Sequence, residues 1–237
     1  MRVIIGHDPR EQRAYDVAAH SLWRSSHLRA EPLVEQDLRD RGIFTRPVDR
    51  RDGRIYDILS GVDQSTAFAL TRFLVPILFN GWVLFTDCDV VFLEDVGTLV
   101  GDPTKAVHVV KHAPRPFVDP TKMDGQVQRD YPRKNWSSVI LWNCDHPANR
   151  RLTLHDVNTR HRDYLHGFGW LNGNEIGELA PRWNWLIGVE PEPQLPAIAH
   201  FTLGGPWLDN WKTREHDDLW QYAHERLLAD QAFERYP

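Results

Sequence analysis

The sequence is short of cysteine, of long apolar runs and of net charge, and each shortage excludes a class of protein. Its two cysteines, Cys88 and Cys144, cannot build a disulfide framework. That favours a reducing compartment, and the expected location is cytoplasmic. No stretch reaches the roughly 18 consecutive apolar residues of a membrane-spanning helix. The opening MRVIIGHDPRE holds too short an apolar run for a signal peptide and suits a first strand. A formal net charge of −5 speaks against a nucleic-acid partner. Internal repeats and low-complexity tracts are also missing. What is there is ordinary for a soluble globular protein: 237 residues, 41% hydrophobic and 26% charged, enough to bury one sizeable core. Ten tryptophans are many for this length, so some exposed ones are expected to stack on sugar rings or bases while most fill the core.

The pattern alternates strands and helices in the first half and becomes strand-rich in the second. Residues 2–6 read as a buried strand and 12–25 as a helix whose inner face carries Ala14, Val17, Ala18, Ser21 and Leu22. Residues 31–61 are charged and carry no clear period. A second helix is predicted over 65–79, ended early by Pro76, and Trp82 to Phe85 form a strongly apolar strand. Further strands are predicted in KAVHVVKH, SSVILWN, RWNWLIG and PAIAHFTLGG, with a helix over 148–165, a Pro-rich loop over 113–132 and a closing helix over 217–233. This order predicts a single α/β domain with a mixed central sheet flanked by helices. Residues 1–110 form its nucleotide-binding half and residues 111–237 its acceptor-binding half.

The sharpest chemical signal is FTDCDVVF, residues 85–92, where Asp87 and Asp89 interrupt an apolar run. In a strand, residues two apart share a face, so both carboxylates converge on one point. Ligands of open α/β sheets bind at the carboxyl edge. Two carboxylates there repel unless a cation stands between them, and oxygen donors favour Mn²⁺ or Mg²⁺. An Asp-x-Asp after an apolar strand serves both nucleotide-sugar glycosyltransferases and haloacid-dehalogenase-like phosphatases. The phosphatase motif follows the first strand, whereas here a whole α/β unit precedes it. A non-catalytic sugar- or nucleotide-binding protein is the third reading. His155, His161 and His166 do not have zinc spacing and are expected at the surface.

RVIIGHDPREQRAYDVAAHSL (2–22), ALTRFLVPILF (69–79) and AIAHFTLGGPW (197–207) resemble segments of the bacterial family 8-like glycosyltransferases of GT-A fold. The resemblance implies a metal-dependent transferase that moves a sugar from a nucleotide-diphosphate donor, UDP-sugar favoured, to a hydroxyl on a glycan or other acceptor. It makes Asp87, Asp89 and His200 the metal ligands and Arg72 a donor contact. The basic residue usual before Pro-Trp is replaced by Gly205, with Lys212 as a substitute. Gly6, His7 and Asp8 at the end of the first strand are placed to grip the nucleotide, with Arg10 beside them, and Asn135 and Ser137 to face the sugar. Related enzymes carry a polar turn against the donor sugar, occupied here by Asn172, Asn174 and Glu175. Glu175 is the candidate base of an inverting reaction, and Trp170 the acceptor platform.

Overall fold

The computed structural model describes residues 1–51, 53–113, 133–233 and 235–236. The predicted Pro-rich loop falls outside them over residues 114–132. In chain order the described elements are β1 (Arg2–His7), α1 (Gln12–Ser26), β2 (Ala30–Val34), α2 (Glu35–Asp40), β3 (Val48–Arg51), β4 (Arg54–Asp57), β5 (Val62–Gln64), α3 (Val75–Leu78), β6 (Trp82–Thr86), β7 (Val90–Phe92), β8 (Val107–Val109) and β9 (Val139–Asn143). They continue with α4 (Leu154–Thr159), α5 (Arg162–His166), β10 (Ile176–Glu178), β11 (Trp185–Leu186), β12 (Ile198–His200) and α6 (Asp217–Ala232).

The central sheet has six strands in the order β10-β8-β9-β6-β1-β2. β9 runs antiparallel to β6 and β8, and the other neighbouring pairs are parallel, so the sheet is mixed. Its central strands are buried on both faces, which is why β1, β6 and β9 read as continuous apolar runs rather than alternating ones. The predicted sheet flanked by helices is therefore the observed architecture. The carboxyl ends of β1, β6 and β8 and the amino end of β9 share one edge. The starts of β6, β8 and β10 share the other.

α1 packs the predicted inner face, Ala14, Val17, Ala18, Ser21 and Leu22, all buried. It closes at His27, which adopts a left-handed φ of 54° while its N–H returns to the Trp23 carbonyl. α6 lies against α1, with Trp220, Ala223 and Leu227 buried in an apolar cluster shared with Val91 of β7 and Ala199 of β12. That cluster seats a small sheet, β11-β12-β7, over α1.

Three sequence expectations change. Residues 31–61 hold edge strand β2 and a separate antiparallel sheet, β3-β4-β5. They lack a period because β2 is half exposed and carries Pro32, which an edge strand tolerates. The hairpin sheet is held by Arg46, fully buried, whose guanidinium forks onto both Asp57 oxygens and reaches the Val157 and Arg160 carbonyls. Losing one partner of such a pair leaves a buried charge, at a cost of about 3–5 kcal/mol. The helix predicted over 65–79 is a turn, a 3-10 segment at Thr71–Leu74, and the short α3. Pro76 occupies its first turn, where a missing N–H costs nothing. The helix predicted over 148–165 is likewise a 3-10 turn followed by α4 and α5, divided by caps at Thr153 and His161.

Candidate metal and donor site

β6 ends at Thr86, and Asp87 to Asp89 form a bend rather than a continuing strand. The two carboxylates converge through that bend and not through the pleat of one strand. Ser138 at the head of β9 accepts the Asp87 N–H, and the Asp89 carbonyl accepts the Phe201 N–H, so both ends of the bend are pinned. Between them the Cys88 side chain is buried and its thiol donates to Glu11 Oε2 at 3.2 Å. Burial first, then the neighbouring carboxylates, push that thiol well above its usual range, so it is not a thiolate ligand.

The antiparallel pairing of β12 with β7 sets His200 opposite Val90, directly after Asp89. Asp87, Asp89 and His200 thereby each offer a ligand atom within 4.8 Å of the others. His200 Nε2 is 3.3 Å from Asp89 Oδ1, and the imidazole is 2% exposed. Two carboxylates and one imidazole suit a divalent cation such as Mn²⁺ or Mg²⁺, with positions left for further oxygen ligands.

Arg72 is a cation that faces this pair. One of its nitrogens, Nη1, lies 2.7 Å from Asp87 Oδ1 and also donates to the Ser137 carbonyl at 2.7 Å. The Phe68 and Phe85 rings, 6.3 Å apart, lie beside the guanidinium at 5.3 and 5.2 Å. Ser137 Oγ meets His166 Nδ1 at 2.8 Å. His166 is thus buried, contrary to its expected surface position, and burial holds its pKa well below the usual value. Asn135, at φ 62°, starts the same turn and presents its carbonyl to Ser138 and Asn184.

The first-strand residues also reach this edge, but two of them are committed to structure. A Cβ at Gly6 would stand 2.4 Å from the Phe68 ring, so Gly6 lets β1 approach that ring closely. Asp8 is buried and accepts from Arg10 and from the N–H of Ala67. Burial alone would raise its pKa, yet the Arg10 bonds and charge and the two N–H donors hold it below the carboxylate range. Asp8 and Arg10 therefore anchor the strand end to residues 65–67; Arg10 also bonds the Ser65 carbonyl. His7 Nε2 meets Gln12 at 2.8 Å. Lys212 is exposed on the segment between β12 and α6.

The predicted acceptor residues are not brought to this edge. The Glu175 carbonyl accepts the N–H of Ala106, just before β8, and β10 runs parallel to β8. Glu175, Asn172 and Asn174 therefore sit at the opposite edge of the sheet. Glu175 caps its own turn through the Asn172 N–H and pairs with Arg151. Those contacts, the Asn172 N–H foremost, lower its pKa, the reverse of what a base at neutral pH needs. Trp170 is 5% exposed, stacked on Trp142, and donates to Asn149 Oδ1; it is core. Trp183 and Trp185 are buried as well.

Sequence reasoning missed Asn184, His112 and Glu190. Asn184, fully buried between two tryptophans, meets His200 Nδ1 at 2.9 Å and His112 Nε2 at 2.9 Å, and His112 Nδ1 lies 3.0 Å from Glu190. The signal was RWNW itself: one amide set inside an aromatic run is a buried polar tether.

A mixed sheet with two aspartates and a histidine at its carboxyl edge is the GT-A glycosyltransferase fold. Glycosyltransferase GlyE of Streptococcus pneumoniae TIGR4 shares it at TM-score 0.57 and 14% identity; the match covers 98% of this chain and 63% of GlyE, so this chain spans less than two thirds of that protein. Galactosyltransferase LgtC, solved in complex with donor and acceptor sugar analogues, matches at TM-score 0.57 and 12% identity over 95% of this chain and 96% of LgtC. The sequence matches no protein-family model. It is 42% identical over 230 residues to Protein CDI of Arabidopsis thaliana, covering 92% of this chain and 84% of that protein. The chain belongs to the family of Protein CDI.

Proposed function

We propose that the protein is a metal-dependent glycosyltransferase that takes a sugar from a nucleoside-diphosphate donor. The observation that carries this reading is the convergence of Asp87, Asp89 and His200 at the carboxyl edge of a mixed sheet. The donor set fits a hard divalent cation, with Mn²⁺ or Mg²⁺ as the expected ion. When bound there, such an ion supplies charge stabilisation to a departing diphosphate.

The chain's own residues supply the rest. Arg72, packed beside two rings and buried, adds a second positive charge where the diphosphate is expected, and a low-dielectric setting strengthens it. The turn at 135–138, tied to Arg72, Asp87 and Asn184, forms the wall beside it. His7 and the backbone after β1 border the expected nucleotide position, while Asp8 keeps that strand end rigid. The known relatives of this fold include a galactosyltransferase and a mouse xyloside xylosyltransferase, so UDP-hexoses and UDP-pentoses are the first donors to try.

The test is a thermal-shift screen of nucleotide sugars with and without Mn²⁺, followed by donor hydrolysis. The expected outcome is a Mn²⁺-dependent shift for one nucleoside diphosphate class and slow release of the sugar. A shift without turnover in any acceptor screen would mark a binding protein instead. Hydrolysis of a simple phosphate monoester, with no response to nucleotide sugars, would sink the transferase reading in favour of a phosphatase.

A further inference from the structure

The polar chain behind His200 has a direction, because at each link only one partner can donate. Glu190, as a carboxylate, accepts only, so the His112 nitrogen facing it, Nδ1 at 3.0 Å, must carry the proton. In a neutral ring His112 Nε2 is then a lone pair, and it pairs with the amide nitrogen of Asn184, 2.9 Å away. A second constraint agrees. Ser138 Oγ spends its single proton on the Asn135 carbonyl at 2.7 Å, so toward Asn184, 2.9 Å away, it can only accept. Both amide protons are consumed, and the Asn184 oxygen is left facing His200 Nδ1 at 2.9 Å. That oxygen accepts only, so the His200 proton sits on Nδ1.

We propose that Asn184 is a positioning residue that holds a proton on His200 Nδ1 and so presents Nε2, 3.3 Å from Asp89 Oδ1, as the nitrogen a cation would take. Glu190 and His112 set the amide orientation from behind. The proposal rests on the metal reading above, and it adds a cause: in a neutral imidazole the proton must leave the nitrogen that is to bind a cation, and a fixed hydrogen bond on the other nitrogen enforces this. The burial of Asn184 and of His200 leaves water little access to compete for either nitrogen.

Two measurements test it. In metal-free full-length protein labelled with ¹⁵N-histidine, at a pH well above the ordinary histidine range, long-range ¹H–¹⁵N spectra report which nitrogen holds each proton. His200→Gln identifies the His200 signals by their loss. The expected result is a proton on Nδ1, whatever the state of Nε2 beside Asp89; an Nδ1 without its proton overturns the proposal. The second measurement is Mn²⁺ affinity from the paramagnetic signal of the free ion. Asn184→Leu should bind Mn²⁺ about 10- to 100-fold more weakly. Asn184→Asp, which keeps an acceptor for Nδ1–H but loses every bond donated by the amide nitrogen, should match or exceed wild type. Equal weakening in both variants would make Asn184 a mere tether of the turn at 135–138 and overturn the assignment. Should Asn184→Asp not fold, the wild-type spectrum still decides. A wild-type chain that shows the Nδ1–H tautomer yet binds no Mn²⁺ leaves the tautomer standing and removes the metal reading alone.

Discussion

The two edges of the central sheet carry nearly the same inventory: a carboxylate, an arginine, an amide and large aromatics. At the carboxyl edge Asp87, Asp89 and His200 lie within 4.8 Å of one another, with Arg72 at Asp87. At the opposite edge Glu175 is spent on its own turn and on Arg151, and Trp170 is stacked inside the core. Residue type does not separate the two edges. What does is whether the acceptor atoms face one another or are already used by local backbone and a neighbouring side chain. Glu175 spends its Oε2 on its own cap and on Arg151 instead of turning it toward a second ligand.

The largest effect that would sharpen this contrast is loss of the aspartates. Asp87→Ala or Asp89→Ala should weaken Mn²⁺-dependent binding of UDP by roughly 100-fold or more, the several kcal/mol expected of a metal's charge stabilisation. Melting curves should show the fold intact. Calorimetry with and without Mn²⁺ decides it, and unchanged affinity in the double variant would break the comparison at once. Next comes the far edge. Trp170→Ala should destabilise the fold by about 3–5 kcal/mol, as for other large buried aromatics. Donor affinity of the folded fraction should stay close to wild type. Denaturant titration beside UDP binding checks this, and a selective loss of acceptor transfer in a stable Trp170→Ala protein would restore Trp170 as an acceptor platform.

Arg72→Ala should weaken donor binding or turnover by about 10- to 1000-fold, the value of a charge-assisted contact of 1.5–3 kcal/mol or slightly more. Arg72→Lys should not recover it, because an ammonium does not reproduce the planar guanidinium that packs beside Phe68 and Phe85 while reaching Asp87 and Ser137. Full activity in Arg72→Ala would reduce that arginine to a structural prop. Smallest is Glu175→Gln, which should cost no more than about 1 kcal/mol of stability. It should leave transfer unchanged, as read by product analysis. A strong loss of transfer there would mean that the opposite edge takes part in chemistry, and anomer analysis by NMR would then test it as a base.

Much of this was legible in the sequence. The apolar strands, α1 and α6 were readable because their burial is one-sided or complete, which leaves a period or an unbroken run. Asp87 and Asp89 stood out as charges inside such a run, and His200 could be paired with them by its neighbours in AIAHFTLGGPW. Asn172, Asn174 and Glu175 were misplaced for a topological reason. Their polar turn precedes β10, and only strand direction reveals which edge the start of a strand occupies. Asn184, His112 and Glu190 escaped because their link joins two distant segments, 72 residues apart between Asn184 and His112 and 78 between His112 and Glu190. No local pattern encodes a contact of that range.

The close approach of Gly6 to Phe68 has a consequence for how sequences of this family can vary. A methyl group at position 6 would stand 2.4 Å from the ring that lies beside Arg72 and Phe85, so that ring would have to shift. Positions 6, 68 and 72 are thus coupled in size. Across relatives that keep the arginine, any residue larger than glycine at position 6 should appear only with a smaller side chain at position 68. The two columns of an alignment would then change together while the metal ligands stay fixed.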